Sequence, residues 1–341
     1  MVPQLMSRLK LVAIGVPIFL ILGLFTGLSR FGMINFPLSF HHGVLMLNGF
    51  AGGVITVERM LTHGKDRWFL IGLILLICGL TLYLLGYDFG LLLVAANIAI
   101  LFLKETLVLS EKKSLNGVYQ LVGLLSWFIG NLKFYQNGFY PATVPFYIVF
   151  ILMLVVGTRL SKMGKKDMIS LILSVTLFLS FWLGFHGYGQ AIYGIGLITL
   201  SIRLCYLEIR NGSKHLVGLV SAFFWLLLSG ISSLFSDHIL FSYDLVLHAF
   251  FVGFFFSMIF INAPDALLEK LGLNRLNTYP NFWVLFLSLG LIARLIVGDL
   301  FHEQEARNMG GILNLLTILL YAASLLFQTI RNRTKAERTH R

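Results

Sequence analysis

Six histidines, His41, His42, His186, His238, His248 and His302, fall at or near the ends of apolar segments on the side facing away from the basic loops. Imidazole is costly in hydrocarbon, but its neutral lone pair suits haem iron and copper. Two of the six have neighbours that sharpen this chemistry. In the segment that begins at Pro37, His42, Met46, Gly49 and Gly53 share one helical face, and His41, Leu45, Asn48 and Gly52 share the next. A ligand followed by glycines leaves room for a flat macrocycle to approach the backbone. The same spacing of Gly49 and Gly53 is also an ordinary helix-packing motif. In the segment that begins at Ser242, Asp244 precedes His248 by one helical turn. Its carboxylate can take the Nδ1 proton and leave Nε2 for a metal, or it can simply mark the membrane interface.

His186 ends an apolar run in the glycine-rich stretch 184–190, as a third ligand or a polar hinge. His238 and His302 sit beside acidic residues in outer loops and read as solvated or weakly metal-scavenging. Arg294 is the most anomalous charge, lying several residues inside an apolar segment. A buried arginine needs an acidic partner, for which Asp299 is the local candidate and a haem propionate the sharper one; snorkelling to the interface is the alternative.

These side chains have to be carried by membrane helices. Hydrophobic residues make up 57% and charged residues 12% of the 341, and mean hydropathy is +0.86. A soluble chain of this size needs far more polar surface. Twelve continuous apolar runs are expected to span, at 11–28, 37–57, 68–86, 88–104, 115–135, 142–160, 168–186, 187–207, 214–235, 242–262, 281–299 and 308–330. The fold expected is an all-α polytopic bundle, one integral membrane domain over 1–341 with no soluble domain. Pro264 falls just past the tenth run, where a short surface helix through Asp265–Leu271 is expected.

The net charge of +11 does not point to nucleic acid, because the basic residues sit in short clusters between apolar runs. With the N-terminus inside, 22 of the 26 lysines and arginines lie on inner segments, leaving only Arg30, Lys133, Arg294 and Arg307 outside. That bias predicts an N-in, C-in topology. Cys78 and Cys205 fall at different depths and form no Cys-x-x-Cys motif. Phosphate-binding, nucleophile-elbow and zinc-protease motifs are absent.

His215 and Trp225 in the ninth run, then Leu247, His248, Ala249, Gly253, Met258 and Ile259 in the tenth, are similar to the NnrS family of bacterial membrane proteins. His41, His42, Gly49 and Phe50 resemble that family's His-rich second helix, and Gly157 to Arg159 its Gly-Arg segment. More remotely, the chain is similar to the haem-copper oxidase core, with histidines on helices 2 and 10 of twelve. The resemblance implies a bacterial inner-membrane protein that holds haem, of b type, and copper, and that binds or handles a small diatomic such as nitric oxide. His42 and His248 are then the leading ligands, with His41 and His186 as further metal candidates. Asp244 would orient His248, and Arg294 would neutralise a propionate. Two other classes share the same residues. One is a metal-free transporter or channel whose histidines line a vestibule, and the other is an assembly factor that releases haem or copper.

Overall fold

The computed structural model describes residues 2–30, 32–63, 67–138, 143–164, 167–180, 188–235, 241–270 and 279–339. Among the described residues the only regular structure is helical. Twelve helices match the twelve apolar runs. They are α1 (Val2–Arg30), α2 (42–63), α3 (Arg67–Leu84), α4 (Gly90–Lys112), α5 (Leu115–Asn137), α6 (Val144–Lys162), α7 (Met168–Ser180), α8 (Tyr188–Arg210), α9 (Leu216–Leu234), α10 (242–270), α11 (280–300) and α12 (Gln304–Thr339). Nine of them, α2–α4, α6 and α8–α12, contain segments long and apolar enough to cross a membrane, which makes this a multi-pass membrane protein. The apolar described parts of α1 and α7 are shorter. Helix α5 has the length, but Asn116, Gln120, Ser126 and Asn131 interrupt its apolar surface.

The chain divides into two compact units, 1–166 and 167–341. In the first, sequential helices pack as neighbours, and in α6 every residue from Val144 to Leu154 is buried. In the second, α9 packs against α8, α10 and α11, while α11 pairs with α12. Such short antiparallel connections are what a chain of consecutive spans with short loops dictates.

Lipid offers no hydrophobic drive between helices, so contact relies on small residues and polar pairs. One arrangement recurs four times. An asparagine Oδ1 lies over a glycine of the adjoining helix at Asn97 and Gly72, Asn116 and Gly157, Asn281 and Gly218, and Asn314 and Gly290. Serines add cross-helix bonds to backbone carbonyls, from Ser126 to Phe146 (2.8 Å), Ser201 to Phe223 (2.6 Å) and Ser229 to Val246 (3.0 Å).

Helix α10 does not stop where its proline suggests. It continues unbroken to Lys270 with Pro264 inside, instead of starting a separate helix after the span. Proline has no N–H, so the carbonyl four residues back, that of Phe260, loses its helical donor. Tyr321 of α12 supplies the replacement, its hydroxyl donating to the Phe260 carbonyl at 3.1 Å. Tyr321→Phe is expected to cost about 1–2 kcal/mol, the range for a buried acceptor left unpaired. In a Pro264→Ala background the restored N–H should shrink that cost. Thermal unfolding of the four proteins in detergent checks this; equal costs in both backgrounds would refute it.

Candidate functional site

Three helices are locally widened to π geometry, and each widening adjoins a residue singled out by sequence. Leu45–Ala51 follows His42 within α2, Ala249–Phe256 follows His248 within α10, and Ile292–Leu300 within α11 contains Arg294 and Asp299. Such turns break the regular hydrogen-bond ladder and are frequent at functional sites. Each holds a glycine pressed by a neighbouring helix. A methyl at Gly49 would lie 2.8 Å from Phe19, one at Gly253 2.5 Å from Trp225, and one at Gly298 2.6 Å from Arg307.

In the first unit, His42 opens α2 against α1. Its Nδ1 lies 2.8 Å from the Gly23 carbonyl and 3.3 Å from Thr26 Oγ1, while Thr26 itself donates to the Gly23 carbonyl at 2.7 Å. A carbonyl only accepts, so the proton sits on Nδ1 and the lone pair of the neutral ring is on Nε2. Gly27 permits this approach, since a methyl there would meet the ring at 3.1 Å. His41 belongs to the 3-10 turn Ser39–His41 and stands edge-on to Tyr83, ring centroids 5.3 Å apart. Its Nδ1 is buried with no hydrogen-bond partner among the described residues.

The glycine face of α2 requires a correction. The space over Gly49 and Gly53, expected to admit a macrocycle, is filled by Phe19 and Val16 of α1. These two glycines serve a helix–helix contact, because only hydrogen at Cα lets α1 lie so close. Beside them runs a network that sequence reasoning did not assign. Asn48 Oδ1 accepts from Trp127 Nε1 (2.6 Å) and Asn131 Nδ2 (3.2 Å), and Asn48 Nδ2 donates to the Tyr147 hydroxyl (3.3 Å). The faint signal was a lone asparagine in an apolar run, which in lipid must find partners.

The second unit assembles a charged cluster around His248. The ring Nδ1 lies 2.9 Å from the Asp244 carbonyl oxygen and 3.0 Å from its carboxylate Oδ1. Arg294 Nη2 reaches the two carboxylate oxygens at 3.3 and 3.1 Å, and Arg307 Nη2 reaches Oδ2 at 3.3 Å. Arg307 Nε also lies 2.9 Å from Asp299 Oδ1, although the N–H is not aimed well enough to make a hydrogen bond. Asp299 is fully buried, and the Arg307 guanidinium stacks over Phe241 at 4.4 Å. The carboxylate that Arg294 hydrogen-bonds is thus Asp244 of another helix. Among the described residues, no partner engages His248 Nε2.

His186 and His238 lie outside the described residues. His302 lies just past the end of α11 with φ of 62°, its ring tilted against Phe241, centroids 5.9 Å apart. No group of three His, Cys, Asp or Glu side chains able to hold a metal occurs among the described residues. Haem iron can be held by a single imidazole, a requirement that the oriented ring of His42 in one unit, or of His248 in the other, fits better than a three-ligand copper set.

Residues 8–330 match the family model described as Domain of unknown function (DUF8744). No curated protein and no solved structure matches the chain.

Proposed function

The chain belongs to the family described as Domain of unknown function (DUF8744), and we propose that it is a haem-binding protein of NnrS type that binds or redox-handles a small diatomic gas such as nitric oxide. The observation that carries this reading is the geometry at His248. Asp244 takes the Nδ1 proton, two arginines fix Asp244, and the ring offers Nε2 to a metal. This is the usual order of groups behind a metal-bound histidine, in which the outer partner sets tautomer and ring orientation. His42, in the first unit, carries the same tautomer through the Gly23 carbonyl and is the other candidate ligand of the reading. His41, beside it, is the candidate for copper.

When bound, haem would supply an iron to which one of these imidazoles and a diatomic could both ligate. The chain's own residues hold each imidazole in one tautomer, with charge gathered at Asp244 and the spans around it apolar. A neutral gas enters such a surround at little desolvation cost, whereas an ion does not. Arg294 and Arg307 face the Asp244 carboxylate, and in this reading Arg294 would neutralise a propionate. In this reading all twelve helices span the bacterial inner membrane, N-terminus and C-terminus inside, an orientation that the 22 inner basic residues support.

The test is a purification in detergent from haem-replete cells, followed by reduced-minus-oxidised spectra and metal analysis. Wild type is expected to show a Soret band that is lost or displaced in His42→Ala and in His248→Ala. Copper in the metal analysis, reduced by His41→Ala, would add the second metal. A colourless, metal-free wild type would overturn the proposal in favour of a transporter or channel.

A further inference from the structure

The last helix outruns its span. In α12 the segment apolar enough to cross a membrane ends at Gln328, yet the helix continues to Thr339. At 1.5 Å per residue the stretch 329–339 extends about 16 Å further. Orientation alone asks only for basic residues near the end of a span, whatever their backbone conformation. A helix that carries them outward presents them at fixed depths.

The neighbouring helix marks where the hydrocarbon ends. Gly298 of α11 meets Arg307 of α12, Gly290 meets Asn314, and Trp283 stands edge-on to Tyr321 with ring centroids 6.0 Å apart. The two helices are therefore antiparallel, and the start of α11 lies level with the stretch of α12 just after Tyr321. Tyr279 and Phe282 at that start are 66% and 59% exposed. Exposed aromatic rings at the end of a span sit at the headgroup boundary. Leu326 and Phe327 of α12, also largely exposed, lie close to that level.

Beyond it the sequence carries Arg331, Arg333, Lys335 and Arg338 against one acid, Glu337. Arg331 is exposed. Arg331, Lys335 and Arg338 follow at intervals of four and three, the spacing of neighbours along one side of a helix. The headgroup layer is about 5–7 Å deep on each side of the core, so 329–333 lie within it. The remainder stands within about 10 Å of the surface, one Debye length at moderate salt. We propose that the extension of α12 past Gln328 is a binding surface for anionic phospholipid headgroups, with Arg331 and Arg333 at phosphate level and Lys335 and Arg338 just above. Clusters of four or more cations directly after a membrane helix suit such lipids. Nucleic acid, the other polyanion of matching charge, would have to approach a membrane surface that repels it. Haem plays no part in this surface, so its test is independent of the reading above.

Native mass spectrometry of the full-length protein in detergent reads lipid binding directly. The probes are phosphatidylglycerol and phosphatidylcholine with the same acyl chains. Wild type is expected to prefer phosphatidylglycerol, and the preference should weaken as ionic strength rises. Arg331→Gln combined with Arg333→Gln should lower it about five- to 25-fold, the worth of one to two cations at a charged surface. Lys112→Gln combined with Lys113→Gln removes the same charge from exposed positions at the end of α4, in the other unit, and should leave the preference nearly unchanged. Should the arginine variant fold poorly, the salt titration of wild type carries the decision. Equal binding of the two lipids by wild type, a preference insensitive to salt, or an equal loss in the lysine variant would each overturn the proposal. So would capture of a short duplex DNA by wild type in phosphatidylglycerol nanodiscs, which would make nucleic acid the partner.

Discussion

Asp244→Ala is expected to lower stability by about 3–5 kcal/mol, the range for breaking a buried ion pair by deleting one partner. The expectation comes from how much converges on this carboxylate. It meets His248 at 3.0 Å, Arg294 at 3.1 Å and Arg307 at 3.3 Å; both arginine side chains are less than a fifth exposed, while that of Asp244 is 23% exposed and sets the effect at the low end of the range. Its loss leaves two buried guanidinium groups facing the single carboxylate of Asp299. Those charges have little water to turn to, and in lipid the penalty of a centrally placed arginine is about 2.5–3.5 kcal/mol on insertion scales. Asp244→Asn, which keeps size and one acceptor, should cost less. The double variant Asp244→Leu with Arg294→Met should recover part of the loss, because replacing a buried pair by apolar residues is often near neutral. Thermal unfolding in a single detergent reads all three. An Asp244→Ala protein that melts with wild type would mean the cluster is solvated, and the account of His248 orientation would fall with it.

Much of this cluster was legible in sequence, and the part that was not has a common cause. The stacking of Asp244 below His248 follows from helical spacing alone, and the need of Arg294 for an acid follows from its place in an apolar run. Its partner did not follow. Asp299 was nearer in the chain, but pairing across helices joins Arg294 to Asp244 over 50 residues, a distance at which spacing carries no information. The glycines of α2 failed for a related reason. Gly49 and Gly53 announce that something lies close, and only the fold says it is Phe19 and Val16 rather than a cofactor. The π turns have no compositional mark beyond a glycine each. Helix α10 outran its predicted end because Tyr321, 57 residues on from Pro264, repairs the carbonyl that the proline orphans. Twelve helices, by contrast, were readable one by one, since continuous apolar length is a local property.

Gly310→Ala is the second change expected to act strongly, and it acts through α11 and α12 without touching a charge. A methyl at Gly310 would lie 2.5 Å from the Gly290 carbonyl oxygen and 2.8 Å from Arg294 Cα, with the Arg294 amide nitrogen closer still. All three obstacles are backbone, so no side chain can swing aside and the helices must part. Overpacking of a tight contact costs about 1–3 kcal/mol. Here the displaced residue is Arg294 itself, and its reach to Asp244 is already 3.1–3.3 Å, so a separation of about 1 Å also takes that contact beyond hydrogen-bond range. The total expected is about 3 kcal/mol or more. Met309→Ala, one residue earlier and largely exposed, is the matched control and should fall within about 0.5 kcal/mol of wild type. Because the methyl displaces Arg294 but leaves Asp244 beside His248, Gly310→Ala should destabilise while keeping the imidazole in its Nδ1–H form. A stable Gly310→Ala protein would show that α11 and α12 do not approach backbone to backbone, and Arg294 would then need another route to Asp244.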